Sequence, residues 1–145
     1  MAFQGNFACD VFKTGLMDAV FDFGASTTQV YKIALYTNAA TLNASTAGYT
    51  TSGETSGNGY VAGGKVLTIG VNPTNTNDVS YLSFDDITWT GSSFTARGAL
   101  IYKYDGVTNP AVCVLDFGSD KTTTNGNFTV QFPSATSTSA VIRIS

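Results

Sequence analysis

The sequence predicts a mainly β fold, a single-domain antiparallel β-sandwich or barrel with one short N-terminal helix and a long loop. Three observations lead there. From Lys65 onward, short runs of β-branched and aromatic residues follow one another with turn residues between them. Near the N-terminus alone, apolar residues recur at helical spacing. No internal repeat or composition shift divides the 145 residues, a length that suits one domain.

The N-terminal segment, residues 1–24, carries the helix. Asp10 is placed to cap it, and Phe12, Leu16, Ala19 and Val20 then share one face. Gly15 interrupts this stretch at a cost of about 1 kcal/mol against alanine, so the helix must be short and dependent on packing. In "TTQVYKIALYT" the period changes to two, and both sides of the strand are partly apolar, as an interior strand requires. Residues 38–64 form one long connection rich in Thr, Ser, Asn and Gly. Loops of that length are usually functional or flexible. Further strands are expected at Lys65–Val71, Val79–Phe84, Ile87–Thr90, Thr95–Tyr104, Val112–Asp116, Asn127–Gln131 and Ala140–Ile144. The breaks between them are assigned to Pro73, Asn75 and Asn77, to Gly91, and to "YDGVTNP" and "GSDKTTTNGN".

Charged residues make up 12% of the chain, well below a typical soluble domain, and Ser and Thr fill roughly a quarter of it. Such a surface is wet with hydroxyls and suits packing against other proteins, where few charges need pairing. The net charge is −3 and the seven cations are scattered singly, so no basic stripe follows a phosphate backbone and nucleic acid is not an expected partner. No apolar run approaches the roughly 18 residues needed to span a bilayer, and no membrane partner is expected. "MAFQGNFACDVFKTG" lacks the basic and apolar regions of a secretory signal. Cys9 and Cys113 have no metal or redox spacing and are expected to be buried and reduced.

Candidate chemistry is sparse. Without histidine, Ser-His-Asp and Cys-His sites are excluded. Gly57, Gly59 and Ala62 in "SGNGYVAGG" spell G-x-G-x-x-A, but a dinucleotide site needs a strand before and a helix after. The following "GGKVLTIGV" suits a strand, so the glycines read as a bent, close-packed strand entry. Asp85 and Asp86 are adjacent, which turns them to opposite faces of a strand and assigns them to a turn instead of an acid–base pair. "DFG" at Asp116–Gly118 recurs at Asp22–Gly24 and lacks every companion of the kinase metal motif. Asp18, Asp22, Asp78 and Asp105 follow no calcium-loop pattern. No catalytic residue, cofactor or metal is therefore expected, and the chain is not read as an enzyme. The tyrosines and Trp89 could stack on sugars in a carbohydrate-binding sandwich, or pack within the sheets, and Trp89 in "DDITWTG" is assigned to the core.

The phrases "YKIALYTNAATLNASTAGYTTSGETSGNGYVAGGKVL", "FDDITWTGSSFTARGALIY" and "AVCVLDFGSDKTTTNGNFTVQFP" resemble a small protein common in tailed-bacteriophage genomes. The likeness covers nearly the whole chain, from about Phe12 to the C-terminus. Some members resemble capsid cement, or decoration, proteins. The resemblance implies a virion structural role without catalysis: a homotrimer on the outside of an icosahedral head, made in the host cytoplasm, with the major capsid protein as partner. The family offers no site motif, so no contact residue is carried over.

A second reading is a carbohydrate-binding or structural module of a head fibre or tail; a depolymerase is a third. Contact residues are instead sought in the long loop. Its Leu42, Tyr49, Tyr60 and Val61 are apolar groups that a free loop would leave in water, and Glu54 would stand at the polar rim. Either the loop packs on a neighbouring chain or it folds back over its own sandwich.

Overall fold

The computed structural model describes Phe3 and residues 5–145. In chain order the elements are β1 (Phe7–Ala8), α1 (Asp10–Met17), β2 (Val30–Tyr36), β3 (Lys65–Val66), β4 (Ile69–Thr76), β5 (Val79–Phe84), β6 (Ile87–Tyr104), β7 (Ala111–Val130) and β8 (Ile142–Ile144). They form two antiparallel sheets, ordered β1-β7-β6-β2-β3 and β4-β5-β8. The architecture is β-sandwich-like, with one short helix and no closed barrel.

The β2 register explains why this strand is apolar on both sides. Val30 to Tyr36 pair residue for residue with Tyr104 to Gly98 of β6, and Ile33, Ala34, Leu35 and Tyr36 have no exposed surface. With Leu100, Ile101, Val112 and Val114 they form the aliphatic centre, each large side chain contributing roughly 1.5–3 kcal/mol by burial. An aromatic cluster joins this sheet to the smaller one. Phe23 stacks on Tyr31 at 4.4 Å between centroids and meets Phe84 of β5 edge-on at 6.3 Å.

The helix exists where the apolar spacing puts it, but it ends earlier. Asp10 is its first residue, Cys9 occupies the cap position without a side-chain capping bond, and Ala19 turns the chain at φ 57°. Val20 thus lies outside α1 and is largely exposed. Gly15 has a packing reason: a Cβ there would strike the Phe21 ring, which folds back under the helix.

Two other boundaries differ. Lys65–Val71 is interrupted at Leu67–Thr68, so its halves belong to different sheets, while Pro73 and Asn75 lie inside β4 instead of breaking it. Ile87–Thr90 and Thr95–Tyr104 are one strand, and so are Val112–Asp116 and Asn127–Gln131 up to Val130. The supposed turn "GSDKTTTNGN" lies within β7. Its glycines and asparagine make irregularities in a continuous ribbon: Gly91, Gly118 and Asn125 all have positive φ, and the β6–β7 register shifts between Trp89 and Ser92, Ser92 and Phe94, and Ala96 and Gly98. The one tight reversal of that ribbon is residues 105–110, where the Asp105 carboxylate accepts the backbone N–H groups of Val107, Thr108 and Asn109.

Candidate interaction surface

Residues 38–64 are irregular, yet they run along β2 and β6 as an extra layer of backbone pairing. Thr37 N–H donates to the Gly53 carbonyl at 2.9 Å, Thr55 N–H to Leu35 at 2.9 Å, and Ser93 N–H to Asn58 at 2.9 Å. The glycines of "SGNGYVAGG" serve this approach. A Cβ on Gly57 (φ 146°) would strike the Ser93 carbonyl, and one on Gly64 (φ 74°) the Ile33 carbonyl. The close contact is therefore with the chain's own strands.

Glu54 organises the interior of the loop. Its carboxylate accepts hydrogen bonds from the Tyr49 hydroxyl, the Tyr60 hydroxyl and the Gly63 N–H, each at 2.7 Å. The Tyr60 oxygen in turn accepts from Leu35 N–H at 2.9 Å, so the carboxylate is tied to β2 through one phenol. Tyr102 donates to the Gly63 carbonyl at 2.7 Å, and Tyr49 stacks on Tyr102 at 4.9 Å between centroids. Burial pushes the Tyr102 phenol up to about 12, with the Glu54 charge acting in the same direction. Burial raises Tyr36, Tyr49 and Tyr60 further, and for the last two the hydrogen bond to Glu54 adds to it because the proton is held between two oxygens. These tyrosines remain neutral donors.

The five sequence-predicted contact residues thus divide. Leu42 is fully buried in the core, and Tyr49, Glu54 and Tyr60 meet one another inside the chain. All four find cover or partners within their own chain: Leu42 in the core, the Tyr60 oxygen on Leu35 N–H of β2, and Tyr49 against the Tyr102 ring of β6. Val61, 74% exposed, stands apart at the turn before β3.

Sequence reasoning missed the apolar groups that the sheet itself leaves in water. Val30 and Tyr104 are direct partners across β2–β6, Val66 of β3 opposes Lys32, and the Lys32 ammonium lies 4.5 Å from the Tyr104 ring centroid. Val30, Val66 and Tyr104 are all exposed, as is Val107 in the adjacent reversal. Val30, Tyr104, Lys32 and Val66 thus lie together where β2 begins and β6 ends, and Val61 is exposed on the turn that leads into β3. The two-sided apolar pattern of "VYKIALY" signals that both faces need cover, but not that the cover stops short of Val30.

Most of the remaining polar groups are absorbed by structure, the buried Trp89 Nε1 being one that has no hydrogen-bond partner among the described residues. Asp86 accepts Phe132 N–H at 2.8 Å, and Asp85 N–H donates to Thr68, so the pair forms the β5–β6 connection. Asp22 and Asp116, the acids of the two "DFG" stretches, each accept the N–H of the glycine two residues on, at 2.8 Å. Asp116 also faces Arg97 at 3.5 Å. Asp105 is held well below the usual carboxylate range by three backbone N–H donors on Oδ1 and the Thr108 hydroxyl on Oδ2. Trp89 is a core residue. Both thiols are free and buried; burial pushes Cys9 up to about 11 and raises Cys113 as well, away from reactive thiolate. Among the described residues no helix is long and apolar enough to cross a membrane.

No family model, curated protein or solved structure matches this chain.

Proposed function

We propose that the chain is a capsid cement protein of a tailed bacteriophage, bound as a homotrimer to the outer surface of the icosahedral head and bridging capsid subunits. The observation that supports this reading is the exposed group Val30, Val61, Val66 and Tyr104, set on or beside paired strands of a charge-poor surface. Apolar side chains on rigid backbone lose little freedom when covered, so each contributes to association without a large ordering cost. A bridging protein engages several copies at once, and modest contacts then combine through effective concentration. The sugar-binding alternative has less support. Tyr31, Tyr36, Tyr49, Tyr60 and Tyr102 all point their hydroxyls at internal partners, which leaves Tyr104 as the large exposed aromatic among the described residues.

Electron cryomicroscopy of intact particles tests the proposal. Density for this chain at hundreds of copies on the head exterior is the expected result, while a few copies confined to a fibre or tail would replace it with the second reading. On purified heads, Val66→Asp should weaken binding at least tenfold while leaving the melting temperature of the free chain within about 2 °C, as a change at an exposed position does.

A further inference from the structure

Beside α1, the two sheets stand apart along one side and leave an apolar groove of about 610 Å³. One bank is Asn6–Ala8, at β1, the outer strand of the large sheet; the other is Val141–Ile144, at β8, the outer strand of the small one. Phe12, Leu16 and Met17 of α1 and Leu115 of β7 also line it. Ile144 and Met17 are exposed at its rim.

The β8 edge differs from the other edge of its sheet. β4 carries Pro73 and two register shifts, devices that prevent a further strand from pairing. β8 reads Ile-Arg-Ile, regular and without proline, and beyond β5 no hydrogen bond reaches its backbone among the described residues. Its alternate residues Ile142 and Ile144 both line the groove, and Arg143 between them, exposed, also borders it, one guanidinium N–H donating to the Ser137 carbonyl at 2.8 Å.

We propose that this groove receives an extended segment of a partner polypeptide, added as an antiparallel strand along the free edge of β8. Two apolar side chains at alternate positions enter the groove, and a carboxylate between them faces Arg143. Main-chain hydrogen bonds supply affinity in such strand addition, and the side-chain alternation supplies selectivity. A second copy of β8 is the wrong occupant, since antiparallel pairing centred on Arg143 sets two guanidinium groups opposite each other. The added strand fills the open side between the two sheets, where β1 and β8 each end a ladder.

The test uses the full chain and two synthetic peptides, acetyl-Thr-Val-Asp-Val-Thr-amide and its counterpart with lysine for aspartate. Amide exchange followed by NMR should show slowed exchange at Ile142–Ile144 with the aspartate peptide, which should bind about two- to fivefold more tightly than the lysine one. Arg143→Glu, at an exposed position, should reverse that preference. Equal binding of the two peptides, no binding of either at millimolar concentration, or protection confined to another region would overturn the proposal. So would protection of β8 that grows with protein concentration in the absence of peptide, which would identify a second copy as the occupant. The experiment needs no phage particle, so its failure and a failure of the capsid reading are separate results.

Discussion

The loop of residues 38–64 and the β4-β5-β8 sheet invert the usual relation between regularity and burial. The loop has almost no ladder, yet Ala40, Leu42 and Thr55 are buried in it and Glu54 ties together two phenols and an amide. The small sheet is a ladder-paired hairpin, with two register shifts in β4, yet six of the eight β4 residues are exposed and only Leu82, Ser83 and Phe84 of β5 are fully covered. The sheet satisfies its backbone by itself and can stand at the surface. The loop cannot, and is held because its polar groups find partners on β2, β6, β7 and α1 and on one another. Regular hydrogen bonding and membership of the core are therefore separate properties in this molecule.

The largest effect that can break this comparison is expected at Gly64. Gly64→Ala forces a Cβ onto the Ile33 carbonyl at a φ of 74°, and the atoms it meets are backbone of an interior strand, which cannot swing aside as a side chain can. A loss of about 4 kcal/mol or more is expected, seen as failure to give a cooperative melting transition. Next comes Glu54→Ala, which leaves two inward phenols and the Gly63 N–H without an acceptor and should cost about 2–3 kcal/mol in urea denaturation. Val71→Thr in the small sheet should cost less than about 1 kcal/mol. If Glu54→Ala proves as mild as Val71→Thr, the loop is a surface feature and the comparison fails.

Alkaline pH sharpens the same contrast, because the buried phenols cluster around the loop. Tyr102 rises from its ordinary 10.0 to about 12 in the fold, and Tyr36, Tyr49 and Tyr60 move the same way. The Cys9 thiol rises from 9.0 to about 11. Between the unfolded and folded values the unfolded chain binds fewer protons, so unfolding free energy falls as pH rises. Stability should be level in these groups below about pH 9, then drop from there through pH 12 and beyond, as each group is deprotonated first in the unfolded chain. Tyr102→Phe should flatten part of that fall, measured by urea midpoints at stepped pH. An unchanged slope would mean that the phenol is open to solvent.

How much of this was legible in the sequence depends on what kind of signal each region carries. The β2 strand was read correctly because both its alternating sets are apolar, and α1 was found because Phe12 and Leu16 lie at helical spacing. The β6–β7 ribbon was cut into four pieces because Gly91, Gly118 and Asn125 are turn residues locally, and nothing local separates a chain reversal from a bulge. The loop's apolar residues were identified as needing cover, with two possible covers left open. Seeing the partners within the chain requires knowing that Leu35 N–H and the Gly63 carbonyl lie within reach of Tyr60 and Tyr102, pairings across 25 and 39 residues. Val30, Val66 and Tyr104 escaped notice because a strand's pattern says which residues share a face, and not which of them the neighbouring elements fail to reach.

The smallest expected effect lies in the region that the comparison calls self-sufficient. Thr76 and Val79 pair across a two-residue reversal, and Asn77 and Asp78 have φ of 53° and 62°, the conformation of a type I′ hairpin. Asparagine tolerates the first position well, and glycine is the preferred second residue. Asp78→Gly removes the left-handed strain of a non-glycine residue, worth about 1 kcal/mol, while making the unfolded chain freer by about 0.4–1 kcal/mol. The two terms nearly cancel, so the melting temperature should rise by no more than about 2 °C. A self-contained hairpin should also confine the change: amide exchange should slow only within Ile69–Phe84. A shift in exchange at Glu54, Tyr60 or Gly63 would show that the small sheet and the loop share stability, and the contrast between them would have to be abandoned.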